Sequence, residues 1–351
     1  MCRRAYIFVM KKDKNKLFIT AEMMLTMLGA IAGVGFVSGT EIEDFFARFQ
    51  IDLIFGILFL FILLAFLIYR VLTQNINCQN LFKLQNMSNK LPNNTTLVKF
   101  KIRNIILFFN LLMLSSAMFS GLRVLLYNLL KHNYIFPYLG IILSVFFMVI
   151  LGIKGLAKFN YLVIIFLIFV ISFLVKDLNI NINLASSGFD IKNSFASIAF
   201  AGIYVFMNIV ELEPVVREYG LVLNKKNRIT FSIVFSFIIS ALIFLICLFL
   251  NSNRRYTNFD MPLLVYFGEK NVIYKGIYYT GLLIALLSTL LTCLIGVKRR
   301  VLNTLCIKQN VGASFVSVLM CVIVGILPFS FFAKTIYPII GILNFIMFVF
   351  L

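Results

Sequence analysis

GAIAGVGFVSGTEIEDFF, residues 29–46, comes just after LFITAEMML, an apolar run that reads as the start of a membrane-spanning helix. Four glycines, Gly29, Gly33, Gly35 and Gly39, then fall where such a helix should be most regular, and three acids, Glu41, Glu43 and Asp44, follow them. In a bilayer each unpaired backbone group costs several kcal/mol, so a helix interrupted by glycine is tolerated only where protein or a water-filled cavity covers the interruption. The stretch therefore predicts a covered break in the first span.

Composition sets the class. The chain has 351 residues, 62% hydrophobic and 13% charged, with a mean hydropathy of +1.01, beyond what a soluble globular domain reaches. It reads as an all-α, polytopic membrane protein forming a single transmembrane domain. At roughly 20 apolar residues per span, about ten helices are expected: 18–38, broken and continuing briefly near 41–49, then 51–70, 104–130, 134–153, 159–176, 193–212, 229–250, 274–297, 311–330 and 334–351. No small-residue cleavage pattern follows the first apolar run, so it is not read as a signal peptide.

The net charge of +19 does not indicate a nucleic-acid partner, because the basic residues lie between spans rather than along one face of a soluble domain. They alternate from side to side. Arg3, Arg4, Lys11, Lys12, Lys14, Lys16, Arg70, Lys83, Lys90, Lys99, Lys101, Arg103, Lys154, Lys158, Arg217, Lys225, Lys226, Arg228, Lys298, Arg299, Arg300 and Lys308 share one side, 22 of the 32. The positive-inside rule then puts both termini in the cytoplasm, in a multi-pass protein of the cytoplasmic membrane. The six cysteines form no CxxC pair, and neither a disulfide framework nor a zinc site is supported. His132, the one histidine, sits in a short turn and reads as solvated. The NNTT match at Asn93 to Thr96 lies in a loop expected inside and reads as chance. With no nucleophile beside a base, no P-loop and no paired metal ligands, an enzyme is not expected, nor is a cofactor.

Ten helices with the first one broken suggest two five-helix halves, 18–176 and 193–351, preceded by a basic cytoplasmic segment, 1–17, and joined by an extracellular connection, 177–192. In an inverted-repeat transporter both first helices are interrupted near the midplane, where half-helix ends and freed carbonyls form the binding site. The sixth span, NSFASIAFAGIYVFMNIVELEP, carries Asn208, Glu211 and Glu213 and closes on Pro214, so a break is expected there too. Polar groups in such a run are hard to place against lipid, although the two acids could already stand at the cytoplasmic interface.

At this point a resemblance becomes specific. GAIAGVGF, with Gly29, Gly33, Gly35 and Phe36, resembles the first-helix motif of the amino acid–polyamine–organocation (APC) superfamily, transporters of LeuT-like fold. SGTEIEDFF resembles a narrower branch, the YkvI-like membrane proteins. Gly33, Gly35, Phe36, Ser38, Gly39, Glu41, Phe45 and Phe46 fall on that branch's pattern, while Val34, Val37 and Thr40 depart from it. The likeness runs at low identity over most of the chain, including IYPIIG at 336–341, but only the first-helix motif is distinctive. It implies a LeuT-like 5+5 inverted repeat with helices 1 and 6 broken, and a transport role.

The residues agree with that implication. Glycine lets a ligand approach the backbone closely, and exposed amides at a half-helix N-terminus attract a carboxylate. Gly33, Val34 and Gly35 would hold a carboxylate, with Phe36 as an apolar wall and Ser38 beside it. Carbonyls from Ile203 through Tyr204 to Asn208 would take an amine. The alternative reading of the glycines is helix packing, which small residues mediate in membranes. Glu41 reads as a vestibule or structural group, and Glu43 and Asp44 as solvated.

For the coupling ion, Ala285, Ser288 and Thr289 sit at i, i+3 and i+4 on one face of the eighth span. In sodium-coupled members of the LeuT-like fold, an eighth-helix carbonyl and two hydroxyls at that spacing are completed by first-helix carbonyls, here Ile31 and Val34. Hydroxyls of membrane helices also simply bond their own i−4 carbonyls. A proton carried by Glu211 is the competing reading. In the third span, Ser116 and Phe119 are candidate substrate contacts, and Arg123 is expected to pair with Glu41 or to snorkel, with Gly29, Gly39, Glu41 and Arg123 as gating or structural groups. Two function classes remain: a secondary transporter for an amino acid or related small zwitterion or amine, working by alternating access with Na+ or H+, and a ligand sensor of the same fold, like the membrane subunits of germinant receptors. Short loops and the lack of a C-terminal tail favour the transporter. Its expected partners are a small-molecule substrate and the lipid bilayer.

Overall fold

Apolar runs of this length satisfy their backbone polar groups in a bilayer only as helices, and the computed structural model is helical almost throughout, with no strand among the described residues. It describes residues 16–31, 33–88, 94–151, 156–178, 190–219, 223, 225–304 and 310–350. Side chains are described for 20–31, 33, 35–73, 102–131, 133–150, 161–178, 190–209, 212, 223, 226–302 and 310–348.

The first span is divided into α1 (Lys16–Ile31), α2 (Val34–Val37) and α3 (Thr40–Phe45). A 3-10 turn, Ala47–Asp52, leads into α4 (Leu53–Ser88), followed by α5 (Asn94–Leu130), α6 (Ile135–Leu151) and α7 (Leu156–Lys176). The second half comprises α8 (Ile191–Tyr219), α9 (Lys225–Ser252), the short α10 (Pro262–Gly268), α11 (Val272–Thr304) and α12 (Asn310–Val324). It ends with α13 (Phe329–Phe331), a π-turn at Phe332–Ile336 and α14 (Tyr337–Phe350). Among the described residues, helix occupies most of each stretch expected to span. Five helices among the described residues are long and apolar enough to cross a membrane: 47–73, 102–130, 226–252, 272–302 and 329–348. Four more are apolar but shorter. The protein is an all-α membrane protein.

Two expectations fail. The 71–100 stretch, expected as a loop, continues α4 to Ser88 and opens α5 at Asn94. At 1.5 Å per residue, the 36 residues of α4 far exceed the hydrocarbon thickness of about 30 Å, so this helix runs on beyond it. The second failure is the sixth span, which is one continuous helix of 29 residues with no interruption at 203–208. Its glycine content explains this: Gly202 stands alone there, and Asn208 Nδ2 donates to the Tyr204 carbonyl of its own helix at 2.9 Å, absorbing the polar side chain without unwinding. Pro214, which has no N–H to donate to the Val210 carbonyl, also lies within the helix.

α1 is central, packed on α7, α8, α9 and α11. Around it α4 packs on α8 and α9, α14 on α8 and α5, α11 on α5, α7 and α6, and α12 on α5. Lipid-facing apolar side chains such as Leu58, Ile62 and Phe66 on α4 stay exposed, as a protein solvated by hydrocarbon permits. The interior is studded with buried hydroxyls, including Ser115, Ser116, Ser236, Ser288 and Thr289.

Candidate substrate and ion site

The first interruption lies between Ile31 and Val34. The Gly33 N–H donates to the Ile31 carbonyl at 2.7 Å, a turn too tight for a helix, and the Gly33 carbonyl then receives the Val37 N–H at 3.0 Å. A β-carbon on Gly33 would lie 3.3 Å from Met118 Cε on α5 and 3.3 Å from both Cγ2 and Oγ1 of Thr289 on α11. Thr289 donates across the gap, with Oγ1 3.4 Å from the Ala30 carbonyl and 3.3 Å from the Ala285 carbonyl of its own helix. Ala285, Ser288 and Thr289 are fully buried. The break of the first span and Thr289 of the eighth, far apart in sequence, therefore meet, with Ser288 buried beside Thr289 on the same helix. Carbonyl and hydroxyl oxygens are the ligands a hard cation takes.

The second interruption is Ser38–Gly39, where Gly39 adopts φ +81°, a left-handed conformation that only glycine enters freely. The carbonyls freed here are claimed by the second half of the chain. Tyr278 Oη donates to the Val37 carbonyl at 3.0 Å, and the Leu263 N–H to the Ser38 carbonyl at 2.9 Å. Thr40 Oγ1 donates to the Asp260 carbonyl at 2.7 Å, and the Ser38 and Thr40 hydroxyls are linked at 2.8 Å. Ser38, expected at the substrate, is spent on this lock against the 260–263 segment. An aromatic ladder continues it: Phe267 stacks on Tyr278 with centroids 4.2 Å apart, and Tyr266 meets Phe267 at 4.8 Å and Phe249 at 4.7 Å.

Between the two interruptions Gly35 faces Glu41. A β-carbon on Gly35 would sit 2.0 Å from Glu41 Oε1, so the carboxyl group occupies the space that a side chain would need. Glu41 is only 5% exposed. Glu43 and Asp44 were expected to be solvated. Both are half-buried, and Glu43 Oε2 and Asp44 Oδ2 have no hydrogen-bond partner among the described residues. The cause is the fold of α3 onto α8, α9 and the π-turn, which covers a segment that an extended chain would leave in water.

Arg123 does not pair with Glu41 but donates to the Leu327 carbonyl at 3.3 Å. Ser116 donates to Leu112 within its own helix at 2.7 Å. The Ser116 backbone and Phe119 Cβ abut Gly325, at 3.0 and 2.9 Å from its built β-carbon, whereas Met118 is the residue of α5 that reaches the break. On α8, Tyr204 meets Phe45 and Phe46 with ring centroids at 5.4 and 5.2 Å, joining the sixth span to the first beyond the break. Ile203 turns its backbone to Gly341 of α14, its oxygen 2.4 Å from the built β-carbon. Phe36 is buried and so is Gly29, while the side chains of Val34 and Glu211 lie outside the described residues.

Sequence reasoning missed a polar relay through the interior. Asn110 of α5 donates to Asn344 Oδ1 of α14, and Asn344 Nδ2 donates to the Phe206 carbonyl of α8 at 3.0 Å. Both asparagines are buried. Two asparagines in apolar runs were a visible signal, but only the fold pairs them.

Beyond the spans, Asp177 accepts hydrogen bonds from Lys270, with which it forms an ion pair, and from Tyr266 Oη at 2.7 Å. These bonds hold its carboxyl below the ordinary aspartate range, against a smaller opposing effect of burial. Burial, then the bond to Asp177, pushes the Tyr266 phenol up. Glu269 collects Tyr256 Oη at 2.6 Å and Arg255 at 3.1 Å.

The architecture and the break define a class: an all-α, membrane-embedded protein whose first span is interrupted against two other helices. No protein-family model matches the chain, and no curated protein matches it in sequence.

Proposed function

We propose that the protein is a secondary active transporter that moves an amino acid or a related small zwitterion or amine by alternating access, coupled to Na+ or H+. The observation that carries this reading is the meeting of the Gly33 break with Thr289, whose hydroxyl spans carbonyls of both helices. A helix opened at this point offers backbone groups to a ligand in the interior of a membrane protein, which lipid-facing helices cannot do.

The helix pairings support a 5+5 repeat of LeuT-like type and ten spans. With α1 to α3 counted as the first span, α4 to α7 as the second to fifth, and α8, α9, α11, α12 and α14 as the sixth to tenth, contacts recur after a shift of five. The first span lies on the fifth as the sixth lies on the tenth, and the third on the ninth as the eighth on the fourth. The fifth packs on the eighth as the tenth on the third, and the second on the sixth as the seventh on the first. The repeat is unequal in detail, since only its first half opens with an interrupted helix. The alternating basic residues favour cytoplasmic termini in a cytoplasmic membrane, and the first-helix motif favours the YkvI-like branch of the APC superfamily.

Replacing Ser288 and Thr289 together with Ala tests the ion. The expected outcome is loss of the sodium dependence of uptake in proteoliposomes, with the protein still folded. An unchanged sodium response removes the ion from this place.

A further inference from the structure

Three features of Glu41 stand together. Its carboxyl group fills the space over Gly35. Its side chain is buried. Among the described residues no salt bridge joins it to a basic side chain, and the charged neighbour that acts on it is another acid, Asp44. The basic groups of this region serve others: Arg48 and Arg254 act on Glu43, and Lys334 and Arg48 on Asp44. Tyr204 of α8, packed against the same short helix, is engaged by the rings of Phe45 and Phe46.

A buried carboxylate without a cation is among the most costly arrangements a protein can hold, and it is relieved by a proton or by an arriving positive charge. Its position decides what that charge belongs to. A ligand carboxylate drawn to the Gly35 backbone would meet Glu41 in the same space, and two carboxylates sharing one site cannot both stay ionised cheaply. A ligand ammonium would instead form a charge-assisted hydrogen bond with Glu41.

Building on the transport-site reading, we infer that Glu41 stands in for the carboxylate of a ligand, and that the substrate class is a primary amine lacking a carboxylate beside its ammonium group. Glycine at position 35 is then required by Glu41 rather than by the ligand: it makes room for the protein's own acid. The second interruption serves the same end, because the left-handed turn at Gly39 reverses the chain enough to bring Glu41 back over Gly35.

The test uses matched pairs that differ only by a carboxylate: putrescine and ornithine, ethanolamine and serine, tyramine and tyrosine. Each is titrated against the full-length purified protein, with melting temperature as the readout, in potassium chloride and again in sodium chloride. The expected result is that at least one amine stabilises the protein at a concentration at least tenfold below its amino acid. In Glu41→Gln, which keeps the volume over Gly35, that preference disappears. In Glu41→Ala, which empties the space, it reverses. The inference is overturned if the amino acid of each pair binds as well or better, if no amine binds, if sodium alone stabilises without an amine preference, or if Glu41→Gln retains the ranking. Should Glu41→Gln not fold, the parent ranking decides. Binding is read without transport: amine selectivity without uptake upholds this role of Glu41 while removing the transporter, and uptake that favours amino acids does the reverse.

Discussion

Gly35 and Glu41 show how a single position can announce a close approach without naming what makes it. Glycine at 35 signals a close approach to the backbone, and the approach is there, but the group that makes it is the chain's own acid. That partner was not legible, because it depends on the left-handed turn at Gly39, whose direction is fixed by Leu263 and Tyr278 from the other half of the chain. Asp177 makes a prediction at the same scale. Its carboxyl titrates below the ordinary range because Lys270 and Tyr266 bond it, so the folded state binds this proton less readily than the unfolded state does. The stabilisation is therefore complete above the ordinary aspartate value and is lost as pH falls through the lower, folded value. Asp177→Asn should cost up to about 1 kcal/mol near neutral pH, seen as a lower melting temperature. The gap to the parent should close in acid below the aspartate range, and a gap that persists there would show that the pair is not its source.

Among the elements, the first span was legible and the sixth was not, for a local reason. Glycines at 29, 33, 35 and 39 weaken the helix of the first span wherever it packs, so its interruption is written in adjacent residues. The polar residues of the sixth span looked like a second interruption, yet Asn208 is satisfied inside an intact helix. Whether a polar side chain in an apolar run unwinds its helix, bonds its own backbone or crosses to a neighbour is settled by packing, which a single sequence does not display. Asn344 took the third course. It holds α5, α8 and α14 together through Asn110 and the Phe206 carbonyl. Asn344→Leu should destabilise the protein by about 1–2 kcal/mol, the scale of interhelical hydrogen bonds in membranes, because Asn110 is left unpaired in the interior. The double replacement with Asn110→Leu should recover part of the loss in a thermal unfolding series. A double-mutant loss equal to the sum of the two single losses would mean that the two asparagines act separately.

At the scale of the molecule, hydropathy and charge predicted an all-α membrane protein, and the fold agrees because a bilayer leaves the backbone few other choices. Which helix lies beside which was out of reach, and the site depends on it: Thr289 and Gly33 belong to different halves and meet only once α11 is laid against α1 and α2. If the proposed function holds, this meeting point couples an ion to the passage of a small charged substrate. The most direct measurement is uptake into proteoliposomes of the radiolabelled amines and amino acids paired above, under an imposed sodium gradient, an imposed proton gradient and neither. At least one of them should accumulate above its outside concentration under one gradient, collapsing when an ionophore dissipates it. Entry that only equilibrates whichever gradient is applied, or no entry of any compound that binds, would contradict the proposed coupling.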